Sequence, residues 1–161
     1  RSGVLKSRYG QFKVTAYQDT IHQRVHLALT VGDIRADLPT QVRVHVTAVF
    51  RDLIGTTIAG HASWSFDASL RAIAEAEAGV LVLLSKPETA EDLKSGIDRL
   101  LGAPEAELSS SPDTYNQIGM GAQILRDLDV GQIKLMGAPL KYNALAGFGL
   151  EVIEFVAPPE S

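Results

Sequence analysis

The hydrophobic pattern of this 161-residue chain changes period partway along, and that change limits the folds open to it. Up to residue 49 the apolar residues recur at every second position, as on half-buried strands. Residues 11–18 (QFKVTAYQ) put Phe12, Val14 and Ala16 on one face, and residues 24–31 (RVHLALTV) do the same with Val25, Leu27, Leu29 and Val31. Residues 41–49 (QVRVHVTAV) set Val42, Val44 and Val46 against Arg43 and His45. The link between the second and third strands, GDIRADLPT (32–40), is rich in turn formers.

From residue 66 the spacing becomes helical. FDASLRAIAEAEA (66–78) aligns Phe66, Leu70, Ile73 and Ala74, with Ser65 as the expected N-cap and Gly79 as the expected stop. GVLVLL (79–84) reads as a buried strand. Residues 90–101 align Leu93, Ile97, Leu100 and Leu101 on a second helix, capped by Thr89 with Asp92 as the answering acid and ended by Gly102 and Pro104. A loop over 102–113 leads to a helix over 114–128 through Ile118, Ala122 and Leu125, then a short buried strand at 132–136. Pro139 suits the first turn of a helix through about Leu145, and 150–156 is a last strand. The expected fold is α/β: half-buried N-terminal strands, then alternating helices and mostly parallel strands. Residues 1–9 have the basic, Gly/Ser-containing composition of a linker, 10–156 form the domain, and 157–161 are a polar tail. A start at Arg1 rather than Met reads as a piece of a longer polypeptide.

Composition removes several functions. A net charge of −4 offers no broad basic face, so no nucleic-acid partner is expected. No apolar run approaches the roughly 20 residues of a membrane span. The chain has no cysteine, which excludes disulfides, thiolate zinc sites and cysteine nucleophiles, and fits a cytoplasmic home.

Few motifs survive scrutiny. GMGAQI (119–124) fails as a dinucleotide fingerprint, because Ile124 stands at the third glycine and no strand precedes it. Its glycines fit close helix packing instead. Among His22, His26, His45 and His61 no metal spacing or catalytic triad is recognisable, and His61 reads as a loop residue. Glu75 and Glu77, then Glu88, Glu91 and Asp92, read as solvated helix faces. Arg43 and His45 share a strand face. There they either grip an anion, through bidentate guanidinium and ring N–H hydrogen bonds, or simply face solvent.

RVHVTAVFRDLIG, GVLVLL and GAQILRDLDV with KYNALAGFGLEV, together with the opening YGQFKVTAYQD and VHLALTVGDI, resemble GTP cyclohydrolase II of riboflavin biosynthesis from about Gly10 to Val156. The resemblance implies an enzyme that opens the imidazole ring of GTP, releasing formate and pyrophosphate. It implies a zinc ion on three cysteines, one after an R-V-H-S-E motif and two in R-C-D-C-G. Here the first motif reads Arg43-Val44-His45-Val46-Thr47, and Ala48 stands at the first cysteine. The other two cysteines fall near Ala59 or Gly60 and His61 or Ala62. The family's E-G-R falls on Pro87-Glu88-Thr89 and its D-x-R-x-Y on Thr114-Tyr115-Asn116-Gln117-Ile118. Its T-N-N-P-x-K is shortened to Gly137-Ala138-Pro139-Leu140-Lys141. Only Arg43, His45 and Lys141 match ligand-contacting positions.

The resemblance therefore implies a degenerate, catalytically silent domain without its zinc, attached to a 3,4-dihydroxy-2-butanone 4-phosphate synthase that it supports or regulates. Mg²⁺ or Mn²⁺ is expected only in that synthase, and a homodimer follows from the family. The alternative is a domain that still binds GTP or a pathway intermediate through Arg43, His45 and Lys141, or retains residual GTP hydrolysis.

Overall fold

A computed structural model describes residues 1–57, 63–102, 112–137 and 143–159. Seven strands form one sheet in the order β1-β2-β3-β5-β4-β6-β7. The strands are β1 (Ser2–Ser7), β2 (Gly10–Asp19), β3 (Arg24–Val31), β4 (Pro39–Val46), β5 (Gly79–Leu84), β6 (Gln132–Leu135) and β7 (Glu151–Phe155). The β1, β2, β3 and β5 pairings are antiparallel. The β5, β4, β6 and β7 pairings are parallel. The mixed α/β fold and its parallel second half are those the changing period predicts.

Helix α1 (Phe66–Glu75) covers one face of the sheet and α3 (Pro112–Asp127) the other. Strand alternation sorts side chains between the two. Val80, Val82 and Leu84 of β5 join Ile118, Ala122, Ile124 and Leu125 of α3, whereas Leu81 joins Leu70 and Ile73 of α1. β5 is buried nearly throughout because strands flank it and helices cover both faces. Helix α3 lies close on β4 at Gly121, where an added Cβ would stand 3.2 Å from a Val44 methyl. That is the packing role expected of the GMG glycines.

Ser65 caps α1 by accepting from the Ala68 N–H. The helix stops at Glu75, short of the predicted residue 78; Gly79 instead opens β5. α2 (Ala90–Leu100) carries the predicted capping box of Thr89 and Asp92. Its apolar face does not enter the core, and Ile97 and Leu101 remain exposed. The turn after β3 is pinned at Gly32, whose φ of +74° and position 1.8 Å (as a built Cβ) from the Glu77 carbonyl oxygen admit only glycine.

Three expectations change. Residues 2–7, linker-like in composition, form strand β1, which hairpins onto β2 with Ser7 opposite Gly10. The hairpin tip is tied to α1, since Tyr9 donates to Asp67 Oδ1 (2.6 Å) and Arg71 holds Asp67 Oδ2 (2.9 Å). The third strand ends at Val46 rather than residue 49, because Val49–Ile54 coil into a π-helical turn closed by Gly55 at φ +77°. Of the helix expected from Pro139 through about Leu145, the described part is a 3-10 helix that runs Asn143–Phe148, and residues 138–142 lie outside the described residues. Lys141 and the predicted loop positions 59–62 lie outside the described residues.

Candidate functional site

β4 runs in the middle of the sheet with helices on both faces, so both of its side-chain rows are largely buried. Val42 and Val44 point to the α3 layer. Arg43 and His45 point to the α1 layer and are 9% and 0% exposed. This corrects the reading of a solvated strand face.

Arg43 is bound to the protein's own groups. Its Nη1 donates to the Met136 carbonyl (3.0 Å), its Nη2 to the Trp64 carbonyl (3.3 Å) and its Nε to His45 Nδ1 (3.1 Å). Because Nδ1 accepts, the imidazole proton sits on Nε2, which donates to Asp52 Oδ2 (3.0 Å). The His45 ring lies 5.5 Å, centroid to centroid, from that of Phe66 at the start of α1.

Asp52, on the π-helical turn, is the hub. Its Oδ2 also accepts from the Ala48 N–H (2.9 Å) and Arg51 Nη2 (2.9 Å). Its Oδ1 accepts from Arg51 Nε (3.0 Å) and from the Phe66 N–H (2.8 Å) at the first turn of α1. One buried carboxylate thus joins the end of β4, the turn after it and the start of α1. The π turn is fastened a second time where the Val49 N–H donates to Glu88 Oε1 (3.0 Å). Glu88 is therefore a bracing residue rather than part of a solvated face.

The electrostatics follow from burial and these partners. Burial alone would raise the Asp52 carboxyl, but hydrogen bonds from His45, Arg51 and the amides of Ala48 and Phe66 hold it well below the usual carboxylate range. Burial pushes the His45 imidazole down, and the Arg43 and Arg51 charges push the same way against the pull of Asp52. The site holds a neutral His45 and an ionised Asp52. His26 is a second buried imidazole, also lowered chiefly by burial; its Nδ1 accepts from the Ser85 N–H (2.9 Å) and its Nε2 has no partner.

A pH dependence follows. Lowered histidines bind fewer protons folded than unfolded, so their contribution is complete above the unfolded value of about 6.5 and is lost as pH falls below it. Asp52 adds stability that is complete above about pH 4 and is lost below. Both act in the same direction. Urea midpoints should fall steadily from pH 7 to pH 4, and His45→Gln should flatten the slope between pH 6.5 and 4.5. An unchanged slope in that variant would contradict the assignment of a buried neutral imidazole.

The zinc ion implied by the resemblance has no matching donors. Cysteine is absent from the chain, and the amide of Ala48, at the first cysteine position, is spent on Asp52. Among the described residues no three His, Asp or Glu side chains converge as metal ligands. The described residues do not fit an ion held by three thiolates.

The structure brings Arg43 and His45 together. Sequence reasoning missed Asp52 and Arg51, which complete the network; the usable signal was an Arg-Asp pair a few residues after a strand that carries Arg43 and His45 on one face.

The sequence model of GTP cyclohydrolase II matches residues 2–157. A protein of Pseudomonas syringae pv. tomato named 3,4-dihydroxy-2-butanone 4-phosphate synthase is 41% identical over 155 residues, covering 96% of this chain and 42% of that protein. The riboflavin biosynthesis protein RibBA of Aquifex aeolicus is 34% identical over 167 residues, covering 96% of this chain and 40% of that protein. Among solved structures, RibBX of A. baumannii, described as a two-domain 3,4-dihydroxy-2-butanone 4-phosphate synthase, superposes with a TM-score of 0.68. The identity there is 31%, covering 99% of this chain and 39% of that one. The chain therefore spans about two-fifths of the length of these relatives.

Proposed function

Because the chain belongs to the GTP cyclohydrolase II family of riboflavin biosynthesis, we propose that it is a member silent in GTP hydrolysis, which supports or regulates an attached 3,4-dihydroxy-2-butanone 4-phosphate synthase. One observation carries this reading. The two basic side chains that match the family's ligand contacts, Arg43 and His45, are buried and engaged with Met136, Trp64, Asp52 and each other. A guanidinium that grips a phosphate must present its donors outward, and three of its atoms here donate inward. The absence of cysteine supports the same reading, since hydrolysis at a ring carbon needs an activated water and no fitting metal ligands provide one among the described residues. The synthase partner rests on the names and greater length of the relatives.

A second reading keeps a binding role. Arg43 and His45 lie toward the carboxyl ends of the parallel strands β4 and β5, where open α/β sheets hold ligands, so a nucleotide or pathway intermediate held with Lys141 is its natural form.

One set of measurements separates these readings. The purified protein is incubated with GTP and zinc while formate is followed, alongside a GTP titration by calorimetry. Neither turnover nor saturable binding is expected. Sustained formate release overturns the silent reading, and saturable binding without turnover establishes the second. The supporting role is tested in a full-length protein carrying both domains. Deleting this one should lower synthase rate or thermal stability, and an unchanged synthase refutes that role.

A further inference from the structure

A cavity of about 420 Å³ opens where the parallel strands begin, at the end of the sheet opposite the Asp52 network. That size is within the range of small-molecule sites. Three segments distant in sequence wall it: the β3–β4 loop with the start of β4, the link from α1 to β5, and β6. Backbone contacts fix these walls to one another. The Gln41 N–H donates to the Ala78 carbonyl (2.9 Å), Gly32 packs directly on the Glu77 carbonyl, and Gly131, before β6, packs on the Ala36 carbonyl of the β3–β4 loop.

The charges around this space are uncommitted. Asp33 stands on the loop wall, Glu77 on the link, and Lys134 on the sheet wall beside Gln41 in the β4–β6 ladder. Among the described residues none of these three charged side chains has a hydrogen bond or an ion pair. Opposite charges thus line one cavity without meeting. Nearby charges do not neutralise them. Arg35 is paired with Asp37 (3.0 Å), and Glu154, opposite Lys134 in the β6–β7 ladder, forms no ion pair with it. Helix α1 ends at the same wall with no basic residue in its last turn, so the partial negative charge of its C-terminus adds to that of Glu77. Leu38, Pro39, Ala76 and Ala78 supply the apolar lining.

The geometry points to a binding site for a small zwitterion, its ammonium held at Asp33 and Glu77, its carboxylate at Lys134, and a short chain between them on the apolar lining. A purely anionic ligand would meet two carboxylates and a helix C-terminus, and a purely cationic one would leave Lys134 without a counter-charge. Gln41 donates its Nε2 to the Met136 sulfur (3.4 Å), which leaves its carbonyl oxygen to accept from an ammonium or a peptide N–H. Linear ω-amino acids and short peptides share this chemistry. The inference does not depend on whether the domain is silent, because none of the three charged residues belongs to the Arg43–His45–Asp52 network.

The purified chain is titrated with 6-aminohexanoate, with its two halves hexylamine and hexanoate, and with glycylglycine, while backbone amide resonances are followed. At least one of the two zwitterions should saturate, shift the amides of Asp33, Glu77 and Lys134, and bind at least about tenfold tighter than either half, with the advantage shrinking at high salt. The tighter of the two zwitterions tells an ω-amino acid from a peptide. Lys134→Gln should bring 6-aminohexanoate down to the affinity of hexylamine. The double variant Asp33→Asn, Glu77→Gln should bring it down to that of hexanoate. These side chains have no partners to lose, so urea midpoints of the variants should match the parent. Failure of both zwitterions to saturate, shifts confined to other parts of the chain, halves that bind as tightly as the whole, or an affinity indifferent to these substitutions would each overturn the proposal.

Discussion

Asp52→Ala is expected to cost about 3–5 kcal/mol, the largest loss from any single side chain of the site. The carboxylate is 5% exposed and accepts from His45, Arg51 and the amides of Ala48 and Phe66. Removing it strands the backbone N–H groups of Ala48 and Phe66 and the Nε2–H of the buried His45, and leaves the Arg51 charge without its counter-ion. Asp52→Asn should cost nearly as much, because an amide offers one acceptor oxygen and turns a donor toward other donors. Urea unfolding at pH 7 measures both. A loss below about 1 kcal/mol for Asp52→Ala would show that the turn reorganises freely and that the network is not the brace described.

Arg43→Met should follow at about 2–4 kcal/mol, even though methionine preserves much of the apolar stem. The loss comes from the acceptors left behind: the carbonyls of Met136 and Trp64 and the Nδ1 atom of His45 all lose a donor in a buried place. His45 would then be free to change tautomer, so its imidazole resonances should shift as well. This expectation bears on any binding experiment. If GTP affinity disappears in an Arg43 variant, the loss identifies a contact only when the variant is as folded as the parent. A near-neutral Arg43→Met would return Arg43 to the role of a ligand-facing residue.

Much of the fold was legible because its signals are local. Period-two alternation located β2, β3 and β4, the apolar run located β5, and Thr89 with Asp92 marked a helix start that the structure shows as a capping box. The misplacements have physical causes. Val4 and Leu5 are adjacent, so β1 shows no alternation, and an edge strand exposed on both faces needs none. The polar row of β4 looks the same in sequence whether it faces water or a second layer; only the neighbours of β4 decide, and they arrive from distant segments. Asp52 escaped because a π-helical turn has no repeating pattern, and its donors come from residues on three separate elements. Exposure of the α2 face was equally unreadable, since an amphipathic pattern states which side is apolar and not what covers it.

The place of β4 in the sheet also has a kinetic side. β1, β2 and β3 join through short turns and can zip up from neighbouring residues, whereas Val42 must find Val80 on one side and Leu135 on the other. Closing such long loops is slow, and their entropy is spent before the contacts reward it. The slot for β4 is therefore completed late, and the bonds at its far end form after the folding barrier. Damage to Asp52 should then leave the refolding rate nearly intact and appear as faster unfolding, shortening the lifetime of the native state far more than it slows its arrival.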